Sequence, residues 1–218
     1  IKLCSKGRGM DMRDARMLVR NETELNRPNQ YGAWWFCCIP SKRVEEIGYP
    51  LPVFIKGDDI EFGLRNDRPL ITMNGIAVWH QDFDAKQSPV QNYYAERNSP
   101  MMNNFARGCN FLTFAITICG RMVKRLLRCD KNIAKMLYLS LRDYNKGMYD
   151  ITSVGADEKM QLVKEYATRK VSGFIFIKVF FYALYTIALY PKTHKIYLKF
   201  REQNLKDASF WKHYLGIS

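Results

Sequence analysis

The segment Pro52–Arg65, PVFIKGDDIEFGLR, constrains this chain more than any other. An apolar run, Val53-Phe54-Ile55, stops at Gly57, and Asp58 and Asp59 follow. Ile60, Phe62 and Leu64 then recur, with Glu61 and Arg65 one helical turn apart. That order predicts strand, tight turn and helix. It puts two carboxylates at the C-terminal end of a strand, where α/β sheets place their sites. Gly57 lacks a side chain, so a substrate can approach the backbone there. Adjacent carboxylates raise each other's pKa when desolvated together, so a fold keeps such a pair solvated, bound to cations, or in use. A helix N-cap explains one acid and leaves the second unexplained.

The 218 residues suffice for one large domain or one and a half small ones, and 47% are hydrophobic, so the chain can bury a core. The net charge of +13 points to nucleic acid, an anionic membrane face or phosphate-bearing substrates. Cys4, Cys37, Cys38, Cys109, Cys119 and Cys129 form no CxxC pair. They read as reduced, mostly buried thiols in a cytosolic compartment, without zinc-ligand spacing. No signal peptide is visible at Ile1, and no Gly-rich or acidic turn follows an early strand. We therefore expect a truncated chain, although a processed protein would look the same.

Residues 1–30 read as a loop or short amphipathic piece. Residues 31–40, YGAWWFCCIP, read as a buried strand that places Cys37 and Cys38 on opposite faces, and 70–79, LITMNGIAVW, as a second strand broken at Asn74-Gly75. Between them a short helix, capped by Ser41, is expected to end at Gly48. From Tyr93 onward helical patterns dominate. Arg121, Lys124, Arg125 and Arg128 fall on one helical face, either solvated or facing anionic lipid or phosphate. Residues 171–190 are almost wholly apolar and long enough to span a bilayer. Lys178 inside that run would cost roughly 2.5–3.5 kcal/mol in hydrocarbon, so a buried or interfacial helix competes with a span.

The segments Tyr31–Phe36, Leu51–Arg65, Asn74–His80 and Tyr93–Asn98 follow one another in an order and spacing that resemble bacterial family 2 glycosyltransferases. The similarity is to the galactofuranosyltransferases and their rhamnosyltransferase-like relatives. It extends weakly through Leu141–Gly147 and the closing Phe210–Gly216. The resemblance implies a fold of the α/β class: a partial GT-A, Rossmann-like sheet followed by a helical C-terminal region. Residues 1–104 would be the acceptor-side part of the catalytic domain, and 105–218 a helical domain on the inner face of the cell membrane.

The resemblance also implies an inverting transfer from a UDP- or dTDP-linked sugar to a glycan or lipid-linked acceptor, with Mn²⁺ or Mg²⁺ holding the diphosphate. Asp59 would be the general base and Asp58 its neighbour in acceptor binding. His80 would ligate the metal, and imidazole favours Mn²⁺. Trp34 and Trp35 would form the sugar platform, since indole stacks on the apolar face of a sugar ring. Lys56 and Arg97 would contact substrate. The family's Asp-x-Asp metal motif, expected before residue 31, has no counterpart; Asp82-Phe83-Asp84 has the letters but follows His80.

Two other classes use the same features. Gly57-Asp58-Asp59 resembles the metal-binding turn of RNA-dependent polymerases, which would need a second hairpin strand after the acids. A non-catalytic membrane-surface module would use the basic helix and the 171–190 segment alone. The glycosyltransferase expectation carries no nucleic-acid partner. His194 and His213 read as surface residues, and Arg97-Asn98 alternatively as a surface pair on a helix.

Overall fold

The structure, a computed structural model, describes residues 11–23, 31–76, 78, 88–105 and 110–217. Among the described residues there are eleven helices and no strand. The expected α/β architecture with a partial GT-A sheet is therefore overturned for this chain. Residues 31–40 are irregular with a turn over 34–36, and 70–76 are irregular with a turn at Asn74-Gly75, where only a break in a strand was expected. Residues 54–57 form a left-handed turn. The physical reason is a lack of strand partners. A strand is held by N–H and C=O groups that pair with a neighbour about 4.8 Å away. Here carbonyls of residues 53–56 are taken by side chains of a helix instead. Short apolar runs do not by themselves distinguish a strand from another buried segment.

The helices are α1 (Ala15–Thr23), α2 (Ser41–Ile47), α3 (Asp58–Asn66), α4 (Pro89–Phe105), α5 (Phe111–Leu126), α6 (Lys131–Lys146), α7 (Met148–Thr152), α8 (Ala156–Thr168), α9 (Ile175–Ala188), α10 (Tyr190–Asn204) and α11 (Ala208–Leu215). Local chemistry sets their starts. Asn110 and Thr113 form a reciprocal capping box on α5, at 3.0 and 2.9 Å. Asp130 accepts from the Asn132 and Ile133 amides at the head of α6. α2 stops at Gly48 as expected, although Pro40 rather than Ser41 holds its cap position.

α4 occupies the middle and packs against α3, α5, α6, α8 and α10. The main core joins Leu51 and Val53 to Met101, Phe114, Leu137, Tyr144, Tyr197 and Phe200. Tyr144 and Tyr197 stack with ring centroids 5.1 Å apart, and the Tyr197 hydroxyl donates to the Tyr144 carbonyl at 2.7 Å. The Leu141–Gly147 stretch thus supplies core residues. α11 folds back toward the N-terminal part, where Tyr49 and Trp211 meet at 5.3 Å and both donate to the Leu205 carbonyl.

The long apolar run divides. α9 and α10 meet around Leu189 at 65°, and Pro191 sits in the first turn of α10. Among the described residues no single helix is long and apolar enough to cross a membrane; the bent pair passes that test by length and composition alone. Ile175, Val179, Ala183 and Thr186 face inward, while Phe174, Ile177, Phe181 and Tyr185 are exposed. The thiols also differ from expectation: Cys37, Cys38 and Cys129 are exposed and Cys119 is half-buried. Without a strand, nothing buries the 37–38 pair. His194, expected at the surface, is half-buried against Tyr190 and pairs with Asn104 at 3.0 Å.

Candidate active site at the head of the third helix

The turn before α3 is unusual in its backbone. Phe54, Ile55 and Lys56 have φ of 46°, 47° and 67°, and Gly57 has 106°. A left-handed residue other than glycine costs roughly 1–2 kcal/mol, and a β-branched one such as Ile55 is rarer still. The surrounding structure must therefore hold this conformation in place. Asn98 on α4 does so. Its side-chain Nδ2 donates to the Ile55 and Lys56 carbonyls at 2.9 and 2.8 Å. An amide nitrogen carries two hydrogens, so its approaches to Val53 and Phe54 at 3.3 and 3.4 Å are secondary. Arg97 adds a bond to the Val53 carbonyl. Gly57 suits its φ of 106°, which side-chain-bearing residues rarely adopt, and it packs closely on the flexible Met102 side chain.

Gly57 takes the cap position of α3, so neither acid is the cap and both lie in the first turn. Carboxylates there face the positive end of the helix dipole. Both are half-buried, and Asp59 Oδ1 accepts the Ile60 amide at 2.8 Å. Burial pushes the Asp59 carboxyl above its ordinary value, and the charge of Asp58 adds to this against the pull of the Ile60 amide. A carboxylate shifted upward is the better proton acceptor.

The tryptophans come to α3 from the 31–36 segment. Gly63 permits this, since a Cβ at that position would sit 2.4 Å from Tyr31 Cβ. Trp34 then lies edge-on to Phe62 at 5.5 Å, one turn along the helix from Asp59. Burial, and then the charge of Asp59, raise the pKa of Tyr31. Trp34 is 36% exposed and Trp35 49%. Lys56 is half-buried, and its pKa is lowered by burial and by Arg125, with Glu96 opposing.

Asp58, Asp59, Trp34 and Tyr31 are thus gathered around one short helix. Arg97 is placed differently. It is 2% exposed, with its guanidinium over the Tyr93 and Tyr94 rings at 5.4 and 4.8 Å and donating to Asn98 Oδ1 at 2.9 Å. His80 lies outside the described residues, as do Trp79, Asp82 and Asp84. Among the described residues no three His, Cys, Asp or Glu side chains converge as a metal set.

Sequence reasoning missed Tyr31 as a neighbour of Asp59, and Asn98 as the support of the turn. One signal was available for the second. Glu96, Arg97, Asn98 and Ser99 are consecutive polar residues, which cannot share one solvent face of a helix; all four are buried.

Proteins similar to this chain fall in one class, the galactofuranosyltransferases. Galactofuranosyltransferase GlfT2 of Mycobacterium tuberculosis (strain ATCC 25618 / H37Rv) is 42% identical over 73 residues, covering 31% of this chain and 12% of that protein. Galactofuranosyltransferase GlfT2 of Mycolicibacterium smegmatis (strain ATCC 700084 / mc(2)155) is 31% identical over 125 residues, covering 55% and 18%. The chain therefore spans less than a fifth of the length of these relatives. No family model matches it.

Proposed function

We propose that this chain is part of a glycosyltransferase that moves a sugar, galactofuranose or a deoxyhexose, from a UDP- or dTDP-linked donor to a glycan or lipid-linked acceptor of the cell surface. Residues 1–104 contribute the acceptor side and 105–218 the part associated with the membrane surface. Trp34 and Trp35 stack on the acceptor sugar and hold one hydroxyl toward α3. The Asp59 carboxylate takes the proton of that hydroxyl as its oxygen bonds to the anomeric carbon. The bond from that carbon to the nucleoside diphosphate breaks on the opposite face, so configuration inverts. Asp58 and Lys56 orient the acceptor. A divalent cation, with His80 among its ligands and Mn²⁺ favoured over Mg²⁺, belongs to the donor side of this reading. The single observation that carries it is a half-buried carboxylate of raised pKa at a helix start, one turn from the residue on which a 36% exposed indole packs.

The polymerase-like alternative needs a strand after the acids, and residues 58–66 are helix. We also place this protein on an anionic membrane surface, at the inner face of the cell membrane. The support is two exposed apolar stripes, one on α5 and one on α9, in a chain of net charge +13.

The deciding experiment is Asp59→Asn in the full-length protein, assayed for galactofuranosyl transfer with and without chelator. Transfer should fall by about 10²–10⁴-fold with the helical content unchanged. Near-normal turnover by a folded variant removes Asp59 from the role of base.

A further inference from the structure

We propose that Asn98, seconded by Arg97, is a positioning residue that sets where the Asp59 carboxylate points. This rests on Asp59 being the base. Four observations join in the argument. Three successive residues without glycine's freedom, Phe54, Ile55 and Lys56, are left-handed immediately before the acids. Carbonyls of that turn are held by one buried amide, at 2.9 and 2.8 Å, and by one buried guanidinium on Val53. Gly57 closes the turn against Met102 and passes directly into the first turn of α3. Asn98 is itself fixed, because its Oδ1 accepts from Arg97 Nε and the Arg97 guanidinium lies over the Tyr93 and Tyr94 rings.

A free chain of this sequence would not stay left-handed over three such residues. Without the Asn98 donors the turn relaxes toward ordinary backbone, and the first residues of α3 move with it. The Trp34–Trp35 segment reaches α3 through Tyr31 and Gly63, about one turn further along the helix than Asp59. Loosening the turn therefore displaces the acid relative to the tryptophans while leaving their binding surface in place. A misplacement of about 1 Å at a reacting group can cost on the order of a hundredfold in rate.

The test uses the full-length protein and galactofuranosyl transfer. Asn98→Asp keeps the volume and the acceptor for Arg97 but removes both donors. It should lower kcat by about a hundredfold and leave the acceptor KM within about threefold, because binding by the tryptophans is retained. A folded Asn98→Asp enzyme with wild-type kcat overturns the proposal. A purely structural role is separated by rescue. Ile55→Gly accepts the left-handed conformation without the steric cost, so in the Asn98→Ala background it should recover at least tenfold in kcat. If Asn98 only contributes to packing, removing the Ile55 side chain makes matters worse, and that outcome also overturns the proposal. Should neither single Asn98 variant fold, the Asn98→Ala/Ile55→Gly pair carries the test: it must fold and approach the turnover of Ile55→Gly alone, and failure on either count overturns the proposal. Asp59→Asn run alongside keeps the two ideas apart. If it retains turnover the base assignment fails, whereas an inactive Asp59→Asn with a fully active Asn98→Asp removes only the positioning role.

Discussion

Single residues here carry opposed demands. Asp59 is held above its ordinary carboxylate value by burial, then by Asp58, so its ionised form is disfavoured by the fold. For an acid with a raised pKa the cost to stability is present above that pKa and disappears below its ordinary value of 3.8. Asp59→Asn should therefore raise Tm at pH 7 while abolishing transfer, and the gain should vanish as pH drops below 3.8; a calorimetric pH series checks this. Asp143 shows the reverse sign. Burial alone would push its carboxyl up, but hydrogen bonds from Lys159 and Tyr93, at 2.6 and 2.7 Å, and the charges of Lys159 and Arg142 hold it below the ordinary value. Its contribution is full above 3.8 and is lost as pH falls through the lowered folded pKa. Lys159→Met removes one partner and leaves Tyr93 and Arg142, the latter at 3.2 Å, so it should cost about 2 kcal/mol by urea denaturation at pH 7.

At the scale of elements, α4 serves two neighbours through successive residues. Arg97 and Asn98 hold the turn before α3, and Glu96 holds α5. Of the four cations expected on one open face of α5, Arg121 and Arg125 turn inward. Arg121 Nη1 meets Glu96 Oε2 at 2.7 Å, and Arg125 meets Oε1 at 2.5 and 2.9 Å. Glu96 is 3% exposed, so the pair is shielded from salt and strong by geometry. Removing one partner of such a group leaves charge uncompensated, and Glu96→Gln should destabilise the protein by about 3 kcal/mol. Double-mutant cycles with Arg125→Met measure how much of that belongs to the pair. An i, i+4 cation pattern identified a helical face but not the carboxylate it serves, which lies 25 and 29 residues away in sequence.

The whole molecule presents one further surface. Leu112, Ile116, Val123 and Leu127 run along α5 and its C-terminal end, and Phe174, Ile177, Phe181 and Tyr185 run along α9, all exposed. The two helices pack on each other. Lys124, Arg128 and Lys178 lie exposed in the same stretches. Apolar area flanked by lysine and arginine binds anionic bilayers, each cation near the surface adding about 1 kcal/mol. Leu112→Glu combined with Ile116→Glu should reduce co-sedimentation with phosphatidylglycerol vesicles at least about tenfold. Wild-type binding should weaken as salt rises. Retained binding by the double variant would remove α5 from the contact. The break at Leu189 matters at this scale too, since it turns the long apolar run into two helices at 65°.

The sequence by itself determined the helical content after residue 93, the stop of α2 at Gly48 and the start of a helix at the paired acids. Each is local: periodicity, capping and turn chemistry act over a few residues. It also marked Asp58, Asp59 and Trp34 as worth watching, by residue type and order. Only the tertiary structure decided that Val53–Ile55 is no strand and that 54–57 is a left-handed turn, that Arg97 and Asn98 are buried, and that Arg121 and Arg125 face Glu96. Those outcomes depend on which group, tens of residues distant, arrives to satisfy a carbonyl or a charge, and local pattern carries no record of that.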